Sequence, residues 1–127
     1  ALDAIRAVLN HDPAAARVVY EETRRRKGLY WILSFDRLLG LLSRVMGEPD
    51  QAEEHFEDAI RFLRENEITV DLAWTCSDYA EMLLERNAPG DREKATELQD
   101  KAIAIAQELG MNPLLERVLA QRKILKA

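Results

Sequence analysis

Residues 39–60 read LGLLSRVMGEPDQAEEHFEDAI, and the order of small, large and charged side chains in this stretch decides the fold. Gly47, Glu48 and Pro49 interrupt two segments of helical periodicity, because glycine ends helices readily and proline, with no amide hydrogen to leave unpaired, opens them. After the interruption Ala52, Phe56, Ala59, Ile60 and Leu63 fall on one side of a helix, while Glu53, Glu54, Glu57, Asp58, Arg61 and Arg64 take the other. Before it, Gly40 is a small residue inside an apolar segment, where a second helix can approach closely. The stretch therefore predicts two antiparallel helices nested through Gly40, Ala52 and Ala59, with Phe56 filling the gap between the small residues.

The same punctuation recurs along the chain. Asp12 and Pro13 predict an N-cap and first helical residue, with a helix to about Lys27 ended by Gly28. Residues 29–46 predict a second helix, apolar around most of its circumference through Tyr30, Trp31, Ile32, Leu33, Phe35, Leu38, Leu39, Leu41, Leu42 and Val45. Such a helix has to be covered on several sides. A third helix runs to about Asn66. Thr69 is expected to cap a fourth to about Arg86, and Asp91 a fifth to about Leu109. Gly110 closes that one before Asn112 and Pro113 open the last. No segment alternates apolar and polar residues over strand length, so the predicted class is all-α, with about six helices.

The nested pattern repeats. Gly40, Gly47, Ala52, Phe56 and Ala59 are separated by 7, 5, 4 and 3 residues, and Ala4, His11, Ala16, Tyr20 and Thr23 show the same separations. Ala80, Gly90, Ala95, Gln99 and Ala102 repeat it with a turn three residues longer before Gly90. An acidic residue, Asp12, Glu48 or Asp91, stands at each turn into the second helix, where the helix dipole favours it. On these residues the chain resembles the tetratricopeptide repeat family, whose unit has a period of about 34 residues. Ala16 to Ala52 and Ala52 to Ala95 are 36 and 43 residues apart, Gln99 stands where the family has an aromatic, and the proline usual after the second helix is missing. The resemblance implies a short solenoid of antiparallel helix-turn-helix units over residues 1–127 as one domain, with units at about 1–28, 29–68 and 69–110. Residues 112–126 then form a capping helix, its stripe of Leu114, Leu115, Val118, Leu119 and Leu125 facing inward and Glu116, Arg117, Gln121 and Lys123 facing away. More narrowly, Gly90 to Ala95, Ala102 to Ala106, Glu108 to Met111 and Pro113 to Arg117 resemble the C-terminal end of helical-repeat arrays in large bacterial signalling proteins. Those arrays are joined to nucleotide-cyclase, ATPase or LuxR-type regulator domains. The first unit begins within its first helix, which fits a segment excised from a longer protein.

Composition narrows the function classes. The net charge is −5, from 18 basic and 23 acidic residues, which opposes a general polyanion-binding role, and nucleic acid is not an expected partner. The longest stretch without a charged residue is the eight residues from Gly28 to Phe35, far short of the roughly 20 needed to cross a membrane. A soluble, cytoplasmic protein without a signal peptide is the expectation. The single Cys76 has no histidine nearby to activate it and sits on an apolar helix side, so it reads as core. Closely spaced glycines for a phosphate loop are absent. His11 and His55 fall in a turn and on a charged helix face, with no HExxH or CxxC spacing, and no metal, cofactor or catalytic residue is expected. Glu53, Glu54, Glu57 and Asp58 read as a solvated surface. Arg24, Arg25, Arg26 and Lys27 read as a helix C-terminus, with Glu21 and Glu22 as ion-pair partners. Trp31 and Trp74 are either core residues or binding anchors.

In the family the concave face is lined by the first helix of each unit. Carried over residue by residue, the resemblance nominates Ser34, Arg37, Leu41 and Arg44, then Trp74, Ser77, Glu81 and Leu84, as a partner-binding surface. Arg37 and Arg44 lie two turns apart on one side of an apolar helix and can meet an acidic peptide or domain surface. The expected function is a non-catalytic protein–protein interaction module of a larger bacterial regulatory or signalling protein, acting on a protein or peptide or on neighbouring domains of the same polypeptide. Two alternatives stay open: a structural or self-association segment, with homodimers formed through exposed repeat ends, and a helical sensor with a small-molecule pocket.

Overall fold

Asp12 accepts hydrogen bonds from the amides of Ala14 and Ala15, both at 3.1 Å, and so caps the first of the described helices, α1 (Pro13–Thr23), as the Asp-Pro pair predicts. The computed structural model describes residues 10–24, 29–30 and 33–126. Five more helices follow: α2 (Phe35–Val45), α3 (Pro49–Glu65), α4 (Thr69–Arg86), α5 (Asp91–Leu109) and α6 (Asn112–Lys126). The fold is all-α, as expected. Ala4, Trp31 and Arg25 to Gly28, which carried several of the expectations above, lie outside the described residues.

One stretch departs from the predicted helix. Leu29–Tyr30 (β1) and Leu33–Ser34 (β2) pair antiparallel, with Leu29 opposite Ser34 and Tyr30 opposite Leu33, and α2 starts only at Phe35. A run of consecutive apolar residues has no periodicity to separate helix from strand, and an aromatic residue such as Tyr30 is at home on a pleated ladder. The ladder is two residues long and leaves the helical class unchanged. Two smaller corrections concern caps. Ile68 and Gly90 occupy the N-cap positions of α4 and α5, so Thr69 and Asp91 are first helical residues rather than caps.

The chain divides into two compact units, residues 1–67 and 68–127. In the first, α2 packs against α1 on one side and α3 on the other, and every residue of α2 is buried or half-buried. That coverage is what its apolar circumference demanded. Ala16, Tyr20, Leu38, Leu39 and Leu42 form a core, with Ala15, Val19, Val45 and Met46 packed around it. At Gly40 the requirement for glycine is steric, because a Cβ there would lie 2.8 Å from the Phe56 ring. Gly47 turns the chain between α2 and α3 at φ +77°, a conformation that costs other residues about 1–2 kcal/mol.

In the second unit α4 packs on α5 and α5 on α6. Leu72, Ala73, Cys76, Tyr79, Ala80, Met82 and Leu83 of α4 are buried, as are Ala95, Leu98, Ala102 and Ala106 of α5 and Leu114 and Val118 of α6. Each large side chain among them contributes about 1.5–3 kcal/mol. Cys76 is a buried free thiol, as expected of a core residue. Leu119, by contrast, is 44% exposed. Arg117 is exposed, as expected, and Gln121 is half-buried, and both donate to Glu81 Oε1 on α4.

Candidate functional site

The nominated residues fall in both units. Arg37, Leu41 and Arg44 follow one another at steps of four and three along α2, and all three are half-buried. Ser34 lies in β2, one residue before that helix begins. On α4, Trp74 and Leu84 are half-buried, whereas Ser77 is wholly buried with its hydroxyl oxygen making no hydrogen bond. Glu81 is an internal strut: Oε1 receives Arg117 Nη2 at 2.6 Å, and only 12% of its side chain is exposed. As the chain is folded here, Ser77 and Glu81 are therefore committed to the interior and to α6, which leaves Trp74 and Leu84 as the accessible part of the α4 set. A buried serine and an exposed one look alike in a sequence, because the cover comes from other helices.

A polar cluster sits inside the first unit where the sequence reading placed none. His55 is not on an exposed charged face; it is 8% exposed, and its Nε2 lies 2.7 Å from the Tyr20 hydroxyl. The two rings meet edge to face at 65°, with centroids 5.4 Å apart. Asp36, in the first turn of α2, is 7% exposed. Asp58 lies one turn beyond His55 on α3 and shares Oδ1 with Arg61 at 3.2 Å. Asp36, His55 and Asp58 each bring one donor atom to within 4.8 Å of the others, the one grouping of three or more such ligands among the described residues.

The physical reason for the burial is the repeat pattern itself. Tyr20 occupies in the first instance the place that Phe56 holds in the second, so its ring is drawn between helices and its hydroxyl must find a partner there. The neighbour of Phe56, His55, supplies it. Asp36 stands 19 residues from His55, and only the antiparallel pairing of α2 with α3 brings them together. The spacing of His55 and Asp58 on one helix side is a readable signal, but acidic neighbours make that side look solvated.

The second unit holds its own polar contacts. Arg86 donates from Nε and Nη2 to the two carboxylate oxygens of Asp91, at 2.8 and 2.9 Å, and the Ala88 amide donates to the same carboxylate at 2.9 Å. The Arg86 hydrogen bonds, with those of Ala88 and the guanidinium charge, hold the Asp91 carboxyl below the ordinary carboxylate range against the opposing effect of burial. Arg122 reaches Asp100, the Thr96 carbonyl and Gln99 Oε1. Gln99, which replaces the aromatic of the other instances, thus places a buried amide where Arg122 can donate to it.

No protein-family model, curated protein or solved structure matches the chain.

Proposed function

We propose that this chain is a non-catalytic, tetratricopeptide-like interaction module that binds an acidic protein or peptide segment along the Arg37, Leu41 and Arg44 side of α2. The observation that carries the reading is where the repeated small residues lie. Ala16, Ala52, Ala59, Ala80, Ala95 and Ala102 are all fully buried, and Gly40 lies directly under Phe56. The side chains that make up the repeated pattern are thus spent on bringing helices together, which supports a scaffold whose recognition is left to surface side chains. Arg37 and Arg44 flank Leu41 at intervals of one helical turn, so a partner can place carboxylates on either side of an apolar contact. Burying the leucine supplies affinity and the two guanidinium groups supply register and sign. Membership of a larger bacterial regulatory protein belongs to the same proposal and rests on the sequence resemblance alone. No described helix is long and apolar enough to cross a membrane.

The test is selection from a displayed peptide library against the intact chain, followed by fluorescence anisotropy of the enriched peptides. Enrichment of acidic peptides, with affinity lowered at least tenfold by the double charge reversal Arg37→Glu and Arg44→Glu at an unchanged melting temperature, is the expected result. Peptides without acidic residues, or affinity indifferent to the double variant, would remove this face of α2 as the binding surface.

A further inference from the structure

The interaction surface makes no use of the cluster at Asp36, His55 and Asp58. Asp36 opens α2, and His55 and Asp58 stand three residues apart on α3, so one turn of α3 presents both toward the start of the neighbouring helix. From this juxtaposition we propose that Asp36, His55 and Asp58 bind a divalent transition-metal ion of the zinc class, which clips α2 to α3. A tetrahedral ion with bonds of ~2.1 Å holds its ligand atoms about 3.4 Å apart. Donor atoms already within 4.8 Å of one another close to that separation by side-chain rotation, with the helices where they are.

The donor set selects the ion. One imidazole nitrogen with two carboxylate oxygens suits zinc and its neighbours in the first transition series, whereas magnesium and calcium take oxygen ligands. Charge fits as well. Two carboxylates and a neutral ring balance a dication, and a neutral assembly is the one that two largely buried ligands tolerate at least cost. Tyr20 supplies the outer contact that metal-bound histidines generally have. With Nε2–H donating to the phenolic oxygen, the tautomer is fixed and the Nδ1 lone pair is left to face the ion. Asp36 and His55 have other interactions as well, but Asp36 Oδ1 and His55 Nδ1 are buried atoms that make no hydrogen bond. Three protein ligands leave a fourth position for water.

The inference stands apart from the peptide-binding reading, since the measurement needs no peptide. The tag-free full chain is titrated with cobalt(II) and zinc chloride, following the visible ligand-field bands of cobalt and the melting temperature. Expected are bands that saturate near one equivalent, their loss on adding zinc, a rise in melting temperature with zinc, and no rise with equal magnesium. Asp58→Asn should weaken zinc binding at least tenfold while the fold persists, because 38% of the Asp58 side chain is exposed. Tyr20→Phe should weaken it about tenfold through the lost outer contact. If neither metal gives a signal, if magnesium substitutes for zinc, or if Asp36→Asn and Asp58→Asn bind zinc as tightly as the parent chain, the site is refuted. Should His55→Gln fail to fold, the Asp58→Asn comparison decides alone.

Discussion

Residues 13–65 and 69–126 each contain three helices in succession, yet they hold them together by different means. In the first unit the critical contact is apolar and backbone-close, the Phe56 ring against Gly40, with the Tyr20–His55 hydrogen bond beside it. In the second unit the turns and the outer helix are fixed by charge-assisted hydrogen bonds: Arg86 to Asp91, Arg117 to Glu81, and Arg122 to Asp100. The same sequence pattern of small and large residues thus admits two closures. Where an aromatic fills the central position the hairpin closes by packing. Where Gln99 fills it, less apolar volume is available, and ion pairs around the α4–α5 turn and between α5 and α6 take up part of the task. Stability in the first unit should respond to side-chain volume, and in the second to pH.

The largest effect is expected at Phe56. Phe56→Ala removes a fully buried ring and leaves a cavity against Gly40, which should cost about 3–5 kcal/mol. Amide hydrogen exchange of the full chain, resolved by segment, should show the loss of protection concentrated in residues 13–65. Equal loss over 69–126 would mean that the two units unfold as one and differ in how they are built but not in stability.

The next effect tests the second unit. Arg86 and Asp91 have only 16% and 8% of their side chains exposed, and removing one member of such a pair strands the other charge at a cost of about 3 kcal/mol. Arg86→Met should therefore destabilise the chain by about that amount near neutral pH. Asp91 titrates lower when folded than when unfolded, chiefly because of the Arg86 hydrogen bonds. Its contribution is therefore complete above the ordinary Asp value of about 4 and is lost as the pH falls through the lowered folded value. Urea unfolding of the parent and Arg86→Met chains at about pH 7 and again at about pH 3 should show the gap between them narrowing in acid. A gap of constant size would assign the effect to packing of the arginine stem rather than to charge.

How much of this was legible depends on whether a residue's role is local. The bounds of α4 and α5 follow the sequence closely because Gly110, Asn87 and the apolar steps act within one turn of where they stand. Glycine at position 40 could be assigned to a close approach because its partner residues, Ala52 and Phe56, lie on the next helix at a spacing that Ala4, Ala16 and Tyr20 repeat. The ladder of 29–30 with 33–34 is not legible, because five successive apolar residues fit either backbone period. His55 was misplaced for a different reason. Charged neighbours on its helix say which face is wet only if nothing covers that face, and the cover comes from Tyr20, 35 residues away. The half-burial of Gln121 escapes the pattern on the same grounds: its partner Glu81 belongs to another helix. Roles set by a third helix are not written in the periodicity of any one.

The smallest effect concerns the ends of two helices, one in each unit. α5 ends on Gly110 at φ +69°, but α3 ends with Glu67 in the same left-handed region at φ +56°. An L-residue there carries a cost of about 1–2 kcal/mol that glycine does not, against which glycine loses about 0.5–1 kcal/mol of additional chain entropy on folding. The first term is slightly larger. Glu67→Gly should therefore stabilise the chain by about 0.5 kcal/mol, a rise of roughly 2 °C in melting temperature. Glu67 is exposed, so Glu67→Ala, which keeps the strain and removes the charge, should leave the melting point where it is. A rise for alanine equal to that for glycine would trace the effect to the carboxylate beside Glu65 and not to the backbone, and would take α3 out of the comparison with α5.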